Sequence, residues 1–171
     1  MALKLDDYRL LGRSGLRVSP LALGTMTFGV GPGSWGSSED EAKAMTDMFI
    51  ECGGNFIDTA NFYGGMGDSE RWLGKLMKGR RDPLVISTKY SLTTQPGNPN
   101  ASGNQRKNMV LSVEDSLKRL GTDYIDLLYL HMWDFRTPVD DILRAFDDLV
   151  RSGKVLYIGL SDTPAWQASR K

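Results

Sequence analysis

Leu21-Ala22-Leu23-Gly24-Thr25-Met26-Thr27-Phe28-Gly29 is the stretch that decides the fold. Its first four residues form a short apolar run, read as the first buried strand. Downstream, apolar strands alternate with amphipathic helices, the pattern of a parallel sheet covered by helices. Such a sheet either stays open and doubly wound or closes into a barrel. An open dinucleotide-binding sheet places G-x-G-x-x-G directly after its first strand. Gly24 is followed instead by Thr25-Met26-Thr27-Phe28-Gly29. Gly29-Val30-Gly31-Pro32-Gly33 is glycine-rich, but Pro32 and the lack of a directly following helix make it a loop. The reading is therefore a parallel (β/α)8 TIM barrel of the α/β class.

Before this stretch, Tyr8-Leu11 and Leu16-Val18 flank Gly12-Arg13-Ser14-Gly15 and predict a hairpin. After it, Ser38-Glu39-Asp40-Glu41 supplies an N-cap and an acidic first turn, and Gly53-Gly54 ends that helix. Asn55-Asp58 reads as a strand, Ser69 to about Lys78 as a helix and Leu84-Ser87 as a strand. A helix from about Gln105 to Leu120 places Met109, Val113, Leu117 and Leu120 on one face, and Gly121 stops it. Ile125-Leu130 is a strand. Thr137-Pro138 opens a helix with Ile142, Leu143, Phe146 and Leu149 on its apolar face. Val155-Gly159 is a fifth strand, and Thr163-Pro164 starts one more helix.

A complete eightfold barrel takes about 250 residues. The 171 residues read as a single domain, 1–171, holding a hairpin, about five strands and four to five helices, hence the N-terminal part of a barrel. Its first and last strands are expected to be open edges, covered by the missing C-terminal half or by self-association.

Composition narrows the function. With 21 basic and 21 acidic residues the net charge is zero, which excludes bulk attraction to nucleic acid or anionic membrane. No apolar run nears the roughly 18 residues that span a bilayer, and the N-terminus lacks a secretory pattern. Cys52 is the only cysteine, so no intrachain disulfide forms, which fits a cytoplasmic location.

Asp58, Lys89 and His131 fall where the second, third and fourth barrel strands end, and Tyr63 follows Asp58 by five residues. The C-terminal ends of barrel strands share one face, where active sites form. A tyrosine hydroxyl ordinarily titrates near 10, and a neighbouring ammonium favours its phenolate. A buried lysine needs a counter-ion, which Asp58 could supply. A histidine can hydrogen-bond a carbonyl and orient it. Together these groups would protonate a carbonyl oxygen as hydride reaches carbon, and the hydride must come from a cofactor.

Phe56-Ile57-Asp58-Thr59-Ala60-Asn61-Phe62-Tyr63-Gly64 resembles the aldo-keto reductase signature F-[IL]-D-T-A-x-x-Y-G. Ser87-Thr88-Lys89, Leu127-Leu128-Tyr129-Leu130-His131 and Gly153-Lys154-Val155-Leu156-Tyr157-Ile158-Gly159-Leu160-Ser161 are similar to that family's lysine strand, histidine strand and G-K motif. Leu23-Gly29 also fits, and the resemblance covers nearly the whole chain. It implies Tyr63 as general acid-base, tuned by Lys89 and Asp58, with His131 orienting the carbonyl. It implies that Gly24, Thr25, Met26, Asp58, Ser161 and Asp162 contact a nicotinamide cofactor, NADPH or alternatively NADH. Asp162 stands where many members carry asparagine, and an ionised aspartate accepts but does not donate hydrogen bonds. Trp35 and Trp133, with Tyr63 and His131, would wall the pocket of a small-molecule carbonyl substrate. The family's phosphate-gripping loop lies beyond residue 171, so weak or no NADPH binding is expected of these residues alone. Two other readings stay open: a non-catalytic regulatory or assembly unit with the same fold, and a Schiff-base aldolase using Lys89.

The remaining signals read as structure. Cys52, next to Phe49 and Ile50, is expected to pack. No His/Cys/Asp spacing suits a metal. Lys78-Gly79-Arg80-Arg81-Asp82 is expected to be a solvated loop, and Thr93 to Gly103 a flexible one.

Overall fold

The computed structural model describes residues 3–30 and 35–169. The loop expected over 29–33 therefore lies partly outside the described residues. β1 (Arg9–Leu10) and β2 (Arg17–Val18) form the expected antiparallel hairpin. It lies at the N-terminal end of the main sheet, where Leu11–Ser14 share a recess with Leu127 and Tyr157.

The main sheet takes its five parallel strands in chain order: β3 (Leu23–Gly24), β4 (Phe56–Asp58), β5 (Val85–Tyr90), β6 (Ile125–Leu130) and β7 (Val155–Leu160). Between β3 and β4 runs α1 (Glu39–Glu51), where Ser38 and Glu41 form a reciprocal capping box. A short turn, α2 (Tyr63–Met66), and α3 (Asp68–Leu76) link β4 to β5. Next come α4 (Arg106–Leu120) and α5 (Val139–Arg151), and α6 (Ala165–Ala168) follows β7. This is an incomplete α/β barrel, as the alternation predicts.

Strand alternation sorts the side chains into two layers. Ile57, Ile86, Tyr90, Leu128 and Leu130 point outward and meet α3, α4 and α5 in one apolar core. Met109, Val113, Leu117 and Leu120 all enter that core. On α5 the reading needs one correction: Leu143 is 45% exposed, and Ala145 joins Ile142, Phe146 and Leu149 instead. At 100° per residue, position 145 stacks over 142 while 143 turns off the face.

Three further expectations are overturned. Leu21, read as part of the first buried strand, is 60% exposed and precedes β3, which begins at Leu23. Cys52 is exposed: it is the C-cap of α1, one residue past the last helical residue, Glu51. The 78–82 segment is not simply solvated. Arg81 forms an ion pair with Asp126 at 2.6 Å, lies 4.1 Å over the Tyr124 ring and donates to Leu84 O, while Arg80 holds Asp47.

Candidate active site

β4, β5, β6 and β7 bring their inward residues to one rim. The register aligns Gly24 with Asp58, Asp58 with Ser87, and Lys89 with Tyr129 and then Gly159. Lys89 is 8% exposed. Its ammonium donates to Asp58 Oδ2 at 2.5 Å and to the Thr59 carbonyl at 2.8 Å. Ser87 Oγ donates to the other oxygen, Asp58 Oδ1, at 2.7 Å. Both carboxylate oxygens are thus held, and the buried ammonium is paired, as burial of charge requires.

Tyr63 arrives from the loop after β4. Its neighbour Gly64 has φ +73°, and a Cβ there would lie 2.5 Å from the Phe28 carbonyl oxygen. Only glycine fits that turn without strain, which accounts for the Tyr-Gly pair. The Tyr63 ring centre lies 4.8 Å from Lys89 Nζ. His131 meets the same ring edge-on, with centroids 5.8 Å apart and planes at 84°. Burial, then the Lys89 charge, lower the His131 pKa below its ordinary value, against the opposing pull of Asp162 and Asp58. The imidazole is therefore held neutral near pH 7, with one N–H to donate. Its Nδ1 is buried without a hydrogen-bond partner.

Beside the Lys89–Asp58 pair opens a cleft of about 460 Å³, lined by Gly24, Asp58, Lys89, Tyr129 and Ser161 among others. That volume lies in the range of about 300–1,000 Å³ typical of small-molecule sites. Of the residues expected at the cofactor, Gly24, Asp58 and Ser161 line this cleft. Thr25 does not: its buried hydroxyl bonds the Asp58 carbonyl and Ser69 Oγ, tying β3 to α3. Met26 and Asp162 are exposed on the rim. Of the expected pocket walls, Trp35 is 64% exposed and outside the cleft. Trp133 is buried in the helix-facing core.

Tyr63, Lys89, Asp58 and His131 are therefore brought together, and Ser87 and Tyr129 join them unforeseen. Both lie two residues before a rim residue, Lys89 and His131, so strand alternation was the signal available. The Tyr129 ring lies flat on β7: a Cβ on Gly159 would come 2.4 Å from it. Among the described residues no group of three or more His, Cys, Asp or Glu could hold a metal. No helix there is long and apolar enough to cross a membrane.

The family model for the Aldo/keto reductase family matches residues 20–170. The chain belongs to the aldo/keto reductase family. It is similar to a norsolorinic acid reductase of Aspergillus flavus, 53% identical over 95% of this chain and 44% of that protein. A norsolorinic acid reductase of Emericella nidulans is 50% identical over 92% of this chain and 43% of its own length. The aryl-alcohol dehydrogenase [NADP(+)] of Phanerodontia chrysosporium is 42% identical over 98% of this chain and 47% of that protein. The chain thus spans about half the length of the curated relatives it matches.

Proposed function

We propose that the intact protein reduces aldehyde or ketone carbonyls, aromatic ones above all, with a nicotinamide cofactor. The observation that carries this is the Lys89 ammonium, held by Asp58 on one side and facing the Tyr63 ring on the other, with His131 across that ring. The relatives' names support the reading: one is a reductase, another an aryl-alcohol dehydrogenase that uses NADP(+). NADPH is accordingly the proposed cofactor, with NADH as the comparison.

Gly24, Asp58 and Ser161 would hold the nicotinamide end, since they line the cleft beside Lys89. When bound, the cofactor supplies hydride to the carbonyl carbon. The chain's own residues handle the oxygen. Neutral His131 donates a hydrogen bond to it and fixes the carbonyl's orientation. Tyr63 delivers its hydroxyl proton to that oxygen. Lys89 stabilises the negative charge left on the tyrosine, and Asp58 and the Thr59 carbonyl keep the ammonium in place. The Schiff-base alternative needs a free amine, whereas Lys89 is an ammonium committed to two acceptors.

Mixing the intact protein with NADPH and 4-nitrobenzaldehyde should bleach the reduced-nicotinamide absorbance, with NADH slower. A folded protein with no turnover across a broad panel of carbonyls would overturn the reading.

A further inference from the structure

Asn104 is fully buried and every one of its polar groups is used. Its Nδ2 donates to Ser91 Oγ at 2.9 Å and to the Met132 carbonyl at 2.8 Å. Its Oδ1 accepts from the Asp134 N–H at 2.8 Å, and its own N–H donates to Asp134 Oδ2 at 2.8 Å. Its carbonyl accepts from Tyr90 Oη at 3.2 Å. This one side chain therefore joins the loop after β5 to the loop after β6.

The joined segments are those that leave Lys89 and His131. Met132, Trp133 and Asp134 follow His131 directly, and each is pinned through its backbone. Asn104 holds the Met132 carbonyl and the Asp134 N–H, and the Asp162 carbonyl accepts from the Trp133 N–H at 3.2 Å. Asp134 is anchored in turn by the Arg136 and Thr137 N–H groups and by the Thr137 hydroxyl. On the other side, Ser91 sits at φ +112°, a conformation that non-glycine residues adopt only when the surroundings force it. Asn104 holds its hydroxyl, its carbonyl accepts from the Gly103 N–H, and Asn61 Nδ2 holds the next carbonyl, Leu92 O. Asn61 lies two residues before Tyr63. A continuous hydrogen-bonded belt thus runs through the three loops that carry Tyr63, follow Lys89 and follow His131.

We infer that Asn104, through its reciprocal pair with Asp134, is a positioning residue that sets His131 against Tyr63. It touches neither substrate nor cofactor. It fixes the backbone into which His131 is built, while Gly24, Lys89 and Ser161 are held by other contacts. The inference rests on the carbonyl-reductase reading above.

The test uses the intact protein at a temperature where each variant is folded by circular dichroism. Asn104→Ala should lower kcat by about tenfold or more, as small displacements of a catalytic group do. NADPH affinity, read by quenching of protein fluorescence, should stay within about twofold of wild type, a split that general destabilisation would not produce. Asp134→Asn keeps the size but replaces the acceptor of the Asn104 N–H, so it should lower kcat in the same way. It decides the matter if Asn104→Ala does not fold. Folded variants with wild-type kcat, or with kcat and NADPH affinity falling together, would overturn the inference. A wild-type protein without turnover would instead overturn the reductase reading.

Discussion

Lys89 presents its ammonium 4.8 Å from the centre of the Tyr63 ring while it donates to Asp58 Oδ2 and to the Thr59 carbonyl. The cation is thus fixed in place by Asp58 and the Thr59 carbonyl and acts on the tyrosine as a preorganised charge. Replacing it by Lys89→Met keeps the bulk and removes the charge. Turnover of a carbonyl by the intact protein should fall by about a hundredfold or more, within the range that positioned acid-base groups contribute. Steady-state kinetics checks this, and a loss below about threefold would separate Lys89 from the proton transfer.

His131 is the only histidine in the sequence, so its imidazole proton signals in these 171 residues are unambiguous. Burial and the Lys89 charge both disfavour the imidazolium. A proton NMR titration should give a midpoint below the ordinary value of about 6.5, and Lys89→Met should raise it. Because folding favours the neutral ring, its contribution to stability is complete above about 6.5 and is lost as pH falls through the lower folded midpoint. A midpoint at or above the ordinary value would contradict the described surroundings.

Gly159 owes its identity to the Tyr129 ring. A methyl group there would sit 2.4 Å from the ring carbon, so Gly159→Ala should destabilise the chain by about 1–3 kcal/mol, the usual result of overpacking. Urea midpoints would measure this. In a Tyr129→Ala background the same substitution should cost much less; an equal cost would place the constraint elsewhere.

Arg119 and Glu70 form an ion pair at 2.6 Å behind β5, and Glu70 also accepts from the Thr88 hydroxyl. Glu70 is fully buried. Arg119→Met strands that carboxylate and should cost about 3–5 kcal/mol, whereas Arg119→Met with Glu70→Gln should cost less than the single change. Additive losses by chemical denaturation would show that the two residues do not depend on each other.

What could be read from the sequence follows the range of the interactions. Helix faces such as Met109 to Leu120 and the Ser38–Glu41 box are local, and periodicity or capping chemistry reveals them. Asp58, Lys89 and His131 were legible because strand ends converge on one face whatever the contacts between them, and Tyr63 because it follows Asp58 in the same short stretch. Contacts made across the chain were not legible. Ser87 holding Asp58, Arg81 reaching Asp126 and Trp133 turning into the core all join residues far apart in sequence or depend on which side of a loop faces the helices. Leu21 looked like core because an apolar run does not show where within it the strand begins.

Tyr63→Phe tests the central claim most directly, because it removes one oxygen and leaves the ring that meets Lys89 and His131. In the intact protein it should abolish reduction of 4-nitrobenzaldehyde while NADPH affinity, read by fluorescence quenching, stays near that of wild type. Reduction at the wild-type rate by the Tyr63→Phe protein would contradict the account.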